Sequence, residues 1–331
     1  MEEKKIRNKR IRNTIVFALI LVLVLKMVSW LLVWSDNSTN ILQNHCGPAI
    51  ALEKKNTVDV VAMGNSNFYC SIDPTRVWEQ QGIPMYIWGA PSHRIYEIQH
   101  DLKTLFKKQS PKVVFIEASC LMRDKSTNAW NQKVKADVAS VFQIVANHRN
   151  INNFEPGRDG YWSFTERCKS KGYYLKTGTK AYKGKDWMKP TKQEAEIPDV
   201  AKKALENCIK ICNDNGAEVV LLSIPSPNDW SAKRYNAVSK LAEELNVELL
   251  DLNCHMDEIG LNWDKDTCDQ GHHMNFRGAE KISTYIGNYL AENKKQLTDH
   301  RGEAAYAGWD KDCLEYAQAR DDRLRALGKI K

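Results

Sequence analysis

The chain has 331 residues, 43% of them hydrophobic, and a formal net charge of +7. That length suffices for one large domain or two small ones. Residues 1–13 hold six Lys/Arg against two Glu, so +4 of the charge sits there and only +3 is spread over the rest, which excludes a basic stripe for nucleic acid.

Thr14–Trp34 (TIVFALILVLVLKMVSWLLVW) carries one charge, Lys26. As a helix it would be about 31 Å long, matching a bilayer hydrocarbon core. Trp30 and Trp34 suit the interfacial belt. Ser29–Ser35 offers no small-residue cleavage site, so an uncleaved anchor is expected in place of a signal peptide. The positive charge ahead of the span puts residues 1–13 in the cytoplasm and everything after it outside a cell membrane crossed once. Residues 35–56 read as a linker, and residues 57–295 as the main domain.

Val58–Met63 is a short continuous apolar run that breaks at Gly64-Asn65-Ser66-Asn67. A strand buried on both faces reads this way. Ligands of open α/β sheets bind at the carboxyl ends of strands, so Ser66 stands where a site would be. Asp73–Gln81 reads as a helix with Asp73 as N-cap and Pro74 in the first turn. Pro84–Trp88 is a second strand, ending at Gly89. His93–Lys108 has helical apolar spacing, and Val113–Ile116 is a third strand, followed by Glu117-Ala118-Ser119. The alternation marks a parallel sheet with crossover helices.

The alternation lapses over residues 122–198, read as an insertion beside the site with a helical patch at Val134–Val145. Its aromatics, among them Trp130, Phe154, Tyr161, Trp162, Tyr173, Tyr174, Tyr182 and Trp187, suit either a sugar cleft or a packed lid. Alternation resumes with a helix at Val200–Asn213, a strand at Glu218–Ile224, a helix at Ala232–Leu245, a strand at Val247–Leu252 and a closing helix at Arg277–Glu292. Residues 296–331 form a charged tail with Trp309, Leu314 and Tyr316 as docking points. Of nine cysteines, an odd number, at least one is unpaired within the chain. Cys208 and Cys212 suit one buried helix face, and Cys254 and Cys268, flanking one loop, are a candidate disulfide.

Chemistry concentrates in Trp263–Lys281 (WDKDTCDQGHHMNFRGAEK), which packs Asp264, Asp266, Asp269, His272 and His273 ahead of the last helix. A serine nucleophile needs a base near neutrality, and imidazole supplies it once a carboxylate fixes its tautomer. The same residues admit a metal site. No second His or Cys cluster at ligand spacing accompanies them, so neither metal nor cofactor is expected.

Gly64-Asn65-Ser66 at the end of the first strand, with Asp269 and His273-Met274-Asn275-Phe276-Arg277-Gly278 near the end, resembles the SGNH/GDSL hydrolase superfamily. The chain is similar in particular to its membrane-anchored branch, which includes the D-alanine transfer protein of teichoic acid systems and alginate O-acetylation proteins. The resemblance implies a three-layer α/β/α domain with a five-stranded parallel flavodoxin-like sheet. It implies Ser66 as nucleophile, His273 as base, Asp269 as orienting carboxylate, and the N–H groups of Ser66 and Gly89 as oxyanion hole. Asp269 to His272 gives the family's Asp-x-x-His, whereas His273 holds its His-x-Asn place, so His272 stays an alternative base. The third family block, Gly-x-Asn, is replaced by Glu117-Ala118-Ser119. The implied function is esterase or O-acyltransferase action, on acetyl or other acyl groups of cell-surface polysaccharide. A membrane-bound O-acyltransferase would be a partner that supplies the acyl group. The alternative is a non-catalytic accessory or glycan-binding subunit of such a system.

Overall fold

The five apolar runs become the five strands of one parallel sheet. The computed structural model describes residues 2–31, 41, 42, 47–142, 144 and 167–331. Strands β1 (Val60–Gly64), β2 (Met85–Gly89), β3 (Val113–Glu117), β4 (Glu218–Ser223) and β5 (Glu248–Asp251) lie in the order β2-β1-β3-β4-β5. Every neighbouring pair is parallel. This is the flavodoxin-like order expected from the sequence. The helices are α1 (Glu2–Leu31), α2 (Ser66–Ser71), α3 (Pro74–Gln81), α4 (Ile95–Leu105), α5 (Ser126–Val141), α6 (Asp199–Asp214), α7 (Ala232–Leu245), α8 (Met256–Ile259), α9 (Phe276–Asn293) and α10 (Ala307–Ala326).

Alternate strand residues feed opposite layers. Val61, Met63, Val114, Ile116 and Leu221 pack with apolar residues of α4, α6 and α7, including Cys208 and Cys212. Val60, Ala62, Phe115, Val220 and Leu222 pack with Phe68 of α2, Val77 of α3 and Ile282, Ile286 and Leu290 of α9. Both faces of the sheet are covered, which is why β1 and β3 are buried at every position and read as unbroken apolar runs. Asp73 caps α3 as its sequence suggests, accepting the Thr75 N–H at 3.0 Å.

Three expectations need correction. The helical patch expected at Val134–Val145 starts inside a longer helix, α5, which runs from Ser126 to Val141; Val145 lies outside the described residues. Cys254 and Cys268 are both free thiols; among the described residues it is Cys168 that is disulfide-bonded. The last residues contain helix α10, on which Trp309 and Tyr316 are buried but Leu314 is 60% exposed. Trp309 and Tyr316 are seven apart and share a face, whereas Leu314 lies more than 100° round the helix.

The chain from residue 168 covers the outer edge of β2, where a strand would otherwise expose unpaired backbone. Ile87 N–H donates to the Lys171 carbonyl at 2.9 Å. Gly172 has φ +93°, and a side chain there would strike the Ile87 carbonyl. Lys171 itself is fully buried. Its Nζ donates to Glu53 at 2.7 Å and Asp312 at 2.8 Å and lies 4.5 Å from the Trp309 ring. Arg167 also holds Asp312, with two bonds at 2.9 and 3.0 Å. Burial pushes the Glu53 carboxyl up despite Lys171, whereas Lys171 and Arg167 together overcome burial and hold Asp312 down.

Helix α1 is long and apolar enough to cross a membrane, and it is exposed until its last two turns. There Ser29 is buried, Lys26 Nζ lies 5.6 Å from the Phe142 ring, and the Ile144 N–H donates to Ser29 Oγ at 3.2 Å. The Trp30 side chain and Trp34 lie outside the described residues.

Candidate active site at the carboxyl end of the sheet

The β1 strand ends at Gly64, where any side chain would collide with Glu117 and Phe68. The chain then enters α2 at once. Asn65 is the N-cap, with its side chain accepting the Asn67 N–H at 2.8 Å. Ser66 is therefore the first residue of the helix, and its N–H belongs to the first-turn donors left without an intrahelical partner. The Ser66 side chain is half-buried. Its hydroxyl lies near the phenol of Tyr69, whose pKa burial pushes up despite the pull of that hydroxyl.

Glu117, at the end of β3, braces this turn from below. Its carboxylate accepts the Asn65 N–H and the Ser119 hydroxyl, both at 2.6 Å, and Ser119 in turn accepts from Asn65 Nδ2 at 3.1 Å. Complete burial pushes the Glu117 carboxyl up to about 7, against the pull of those bonds. Glu117-Ala118-Ser119 thus holds the turn in shape.

The sign of the pH effect follows. The folded chain keeps the Glu117 proton to about 7, while an ordinary glutamate loses it near 4.5. The native state therefore binds more protons between these values, and stability falls as pH rises through the window. The full cost above it is about 3 kcal/mol. Glu117→Gln is expected to remove this component. Denaturant unfolding at pH 4.5 and pH 8 should show wild type losing more stability than the variant, and parallel curves would refute the assignment.

Gly89, at the end of β2, is the register partner of Gly64. The Gly64 carbonyl accepts the Ala90 N–H at 3.2 Å, and the Ile87 N–H points outward to Lys171. By strand alternation the Gly89 N–H points outward too, away from β1. A side chain at Gly89 would meet the Tyr69 ring 2.7 Å away. Below the turn, His93 is buried, with Nδ1 3.1 Å from the Gly64 carbonyl and Nε2 3.0 Å from Asp101. Asp101 raises its pKa against the opposing effect of burial.

The histidine loop closes on itself. Gln270 at φ +64° and Gly271 at φ +89° turn the chain back, and Gly271 lies too close to Pro227 to carry a side chain. The turn accommodates the extra residue between Asp269 and His273. Asp269 accepts both the backbone N–H of His273, at 2.6 Å, and its Nδ1–H, at 2.5 Å. These bonds hold the Asp269 carboxyl below its usual range despite burial. With Nδ1 donating, Nε2 is the free nitrogen, and it is buried without a hydrogen-bond partner. Asn275 caps α9, accepting the Arg277 N–H at 3.0 Å.

His272 makes a second pair. Its Nδ1 lies 3.4 Å from Asp229, and its ring centroid is 4.0 Å from that of His273. Burial and the neighbouring His273 lower its pKa. Asp229 also accepts from Asn67 Nδ2 at 3.2 Å. Asn67 follows Ser66 directly, so the two histidines and the Ser66 turn share one site. Asp269 is close enough to Cys70, one turn beyond Ser66, to act on its thiol electrostatically. Ser66 and His273 are not hydrogen-bonded to each other.

Asp264 and Asp266 stand apart from the histidines. Asp264 pairs with Lys183. Asp266 is buried, accepting the Asn262 N–H at 2.8 Å and pairing with Lys281 at 2.6 Å. Among the described residues, Cys268, Asp269 and His273 bring one ligand atom each within 4.8 Å of one another, a set that could hold a metal ion. Burial and Asp269 push the Cys268 thiol up to about 12.

No protein-family model matches the chain, and no curated protein matches it. Solved structures similar to it include the following three. TesA is 10% identical, with a TM-score of 0.37 over 70% of this chain and 97% of TesA. The YxiM protein of Bacillus subtilis is 15% identical, with a TM-score of 0.35 over 76% of this chain and 58% of YxiM. A GDSL-like lipase of Bacteroides thetaiotaomicron is 13% identical, with a TM-score of 0.33 over 70% of this chain and 86% of the lipase.

The sequence reading missed Asp229, His93 and the bracing role of Glu117. A charged residue closing an otherwise apolar strand was the available signal for Glu117. Asp229 had none, because its partners are 162 residues before it and 43 after it. Of the insertion's aromatics, Tyr173 is core and Trp130 is on the exposed face of α5. Tyr182 and Trp187 pack edge-on with Trp263 beside the histidine loop. Tyr174 packs near Tyr69. Phe154, Tyr161 and Trp162 lie outside the described residues.

Proposed function

We propose that the protein is a membrane-anchored serine esterase or O-acyltransferase of the SGNH kind, working outside the cell on acyl groups of a surface polysaccharide. The observation that carries the reading is the His273–Asp269 couple, with the free Nε2 of His273 in the same site as the half-buried amino end of α2. Ser66 would give its proton to Nε2 as its oxygen attacks an acyl carbonyl. The oxyanion would be met by the N–H of Ser66, a donor of this kind being worth about 3–4 kcal/mol, whereas the Gly89 N–H expected beside it faces away from β1 and is not assigned to the hole. His273 would return the proton to the departing alcohol. A sugar hydroxyl or water would then release the acyl group from Ser66. The apolar helix α1 supports attachment to the cell membrane, and attachment favours transfer from a membrane-bound O-acyltransferase partner.

A second reading has its own support. Ser119 stands at the Asn place of the third block, where the resembling family puts a side-chain oxyanion donor, and its hydroxyl proton is already given to Glu117. This favours a non-catalytic accessory subunit that binds glycan or partner. A fluorophosphonate probe separates the two. We expect covalent labelling of wild type, mapped to Ser66 and lost in Ser66→Ala. An unlabelled wild type, or equal labelling of both, would leave the accessory reading standing.

A further inference from the structure

Helix α5 carries an apolar stripe on its outer face. Trp130 is 63% exposed, Val134 36%, Val138 40% and Val141 47%. At 100° per residue the four fall within an arc of roughly 80°. Ala129 and Ala136, on the other side, are buried against the domain. A contiguous exposed patch of this kind marks a contact surface.

The neighbours of the stripe indicate what it contacts. Its carboxyl end runs into Phe142 and Ile144, the residues that meet Lys26 and Ser29 of α1. Those α1 residues lie in the last turns of the apolar helix. The end of the stripe is therefore level with the outer part of the apolar span, and the stripe continues from there. The charge pattern agrees. Asp137 is the one acidic residue of α5, and it is tied to Lys133 at 2.5 Å and His100 at 2.9 Å. Lys135 is exposed at the flank of the stripe. An aromatic and aliphatic face flanked by lysine is the composition of a helix that lies in a bilayer interface.

We propose that α5 is a second membrane-contacting element, with its Trp130–Val141 stripe resting on the lipid of the outer leaflet. This rests on the reading of α1 as a membrane anchor. It gives the anchored domain one fixed face toward the bilayer instead of free rotation on a tether.

The test uses the full chain in liposomes containing a diazirine-bearing phosphatidylcholine, with illumination and peptide mapping. We expect lipid adducts on α1 and on the peptide holding residues 126–142, and none on the α10 peptide holding exposed Leu314. The double substitution Trp130→Glu and Val138→Glu should remove the α5 adducts and leave those on α1. Adducts on α1 alone would overturn the proposal and leave the anchor intact, as when a protein partner covers the stripe. Adducts on neither would remove the anchor reading and this proposal with it. Labelling at Leu314 equal to that of α5, or α5 labelling unchanged in the double variant, would also overturn it.

Discussion

His273→Ala is expected to lower kcat/KM for an acyl ester by about 10⁴-fold or more, the scale seen when a triad member is removed. His272→Ala should cost no more than about tenfold, an effect of position and not of proton transfer. The asymmetry comes from the carboxylates. Asp269 takes both the backbone N–H and the Nδ1–H of His273, which fixes the ring and leaves Nε2 free as a base. His272 has a single, longer contact to Asp229 at 3.4 Å. Asp269→Asn should therefore approach the loss seen in His273→Ala, because an amide no longer enforces the Nδ1–H tautomer, while Asp229→Asn should not. Steady-state rates on a chromogenic acetyl ester for the four variants decide it. A larger loss in His272→Ala than in His273→Ala would reverse the assignment of the base.

The second large effect is on stability. Lys171→Met is expected to cost about 3–5 kcal/mol at neutral pH, the range for breaking a buried ion pair from one side. The substitution leaves Glu53 and Asp312 facing each other with only Arg167 to offset them. The cost should shrink at acid pH, because burial already pushes Glu53 up and its protonation removes one of the two charges. Lys171→Met combined with Glu53→Gln should recover part of the loss at neutral pH. Denaturant unfolding at pH 5 and pH 8 reads both effects, and a Lys171→Met variant as stable as wild type would refute the account. The mechanical consequence reaches the site. Lys171 fixes the chain that covers β2, and the same run continues to Lys176 and Lys180, whose carbonyls accept from Phe276 and Gln270 at 2.9 and 3.0 Å. Loosening it should raise KM as well as lower stability.

Some of this was written into local pattern. Val60–Gly64 and Val113–Glu117 could be read because strands buried on both faces leave unbroken apolar runs. Asp73-Pro74 could be read because a cap and a first-turn proline are local signals. Asn275 before α9 is of the same type. The length of α5 was less visible, since only its second half has apolar periodicity and its exposed face is itself apolar. Helix α10 was hidden by its charge, because one stripe of Trp309, Cys313 and Tyr316 is enough to dock it.

The sequence by itself determined the parallel five-stranded sheet, the apolar amino-terminal helix, and the positions of Ser66, Asp269, His272 and His273 near strand ends or in the last loop. Periodicity and capping act over a few residues, and these features need nothing longer. Only the tertiary structure decided which histidine takes which carboxylate, for the left-handed pair Gln270 and Gly271 returns His273 to Asp269, and Asp229 reaches His272 from a separate loop. It also decided that Glu117 braces the Ser66 turn from the neighbouring strand, 52 residues away. Such pairings are fixed by how strands and loops stack in space, and a linear spacing carries no trace of them.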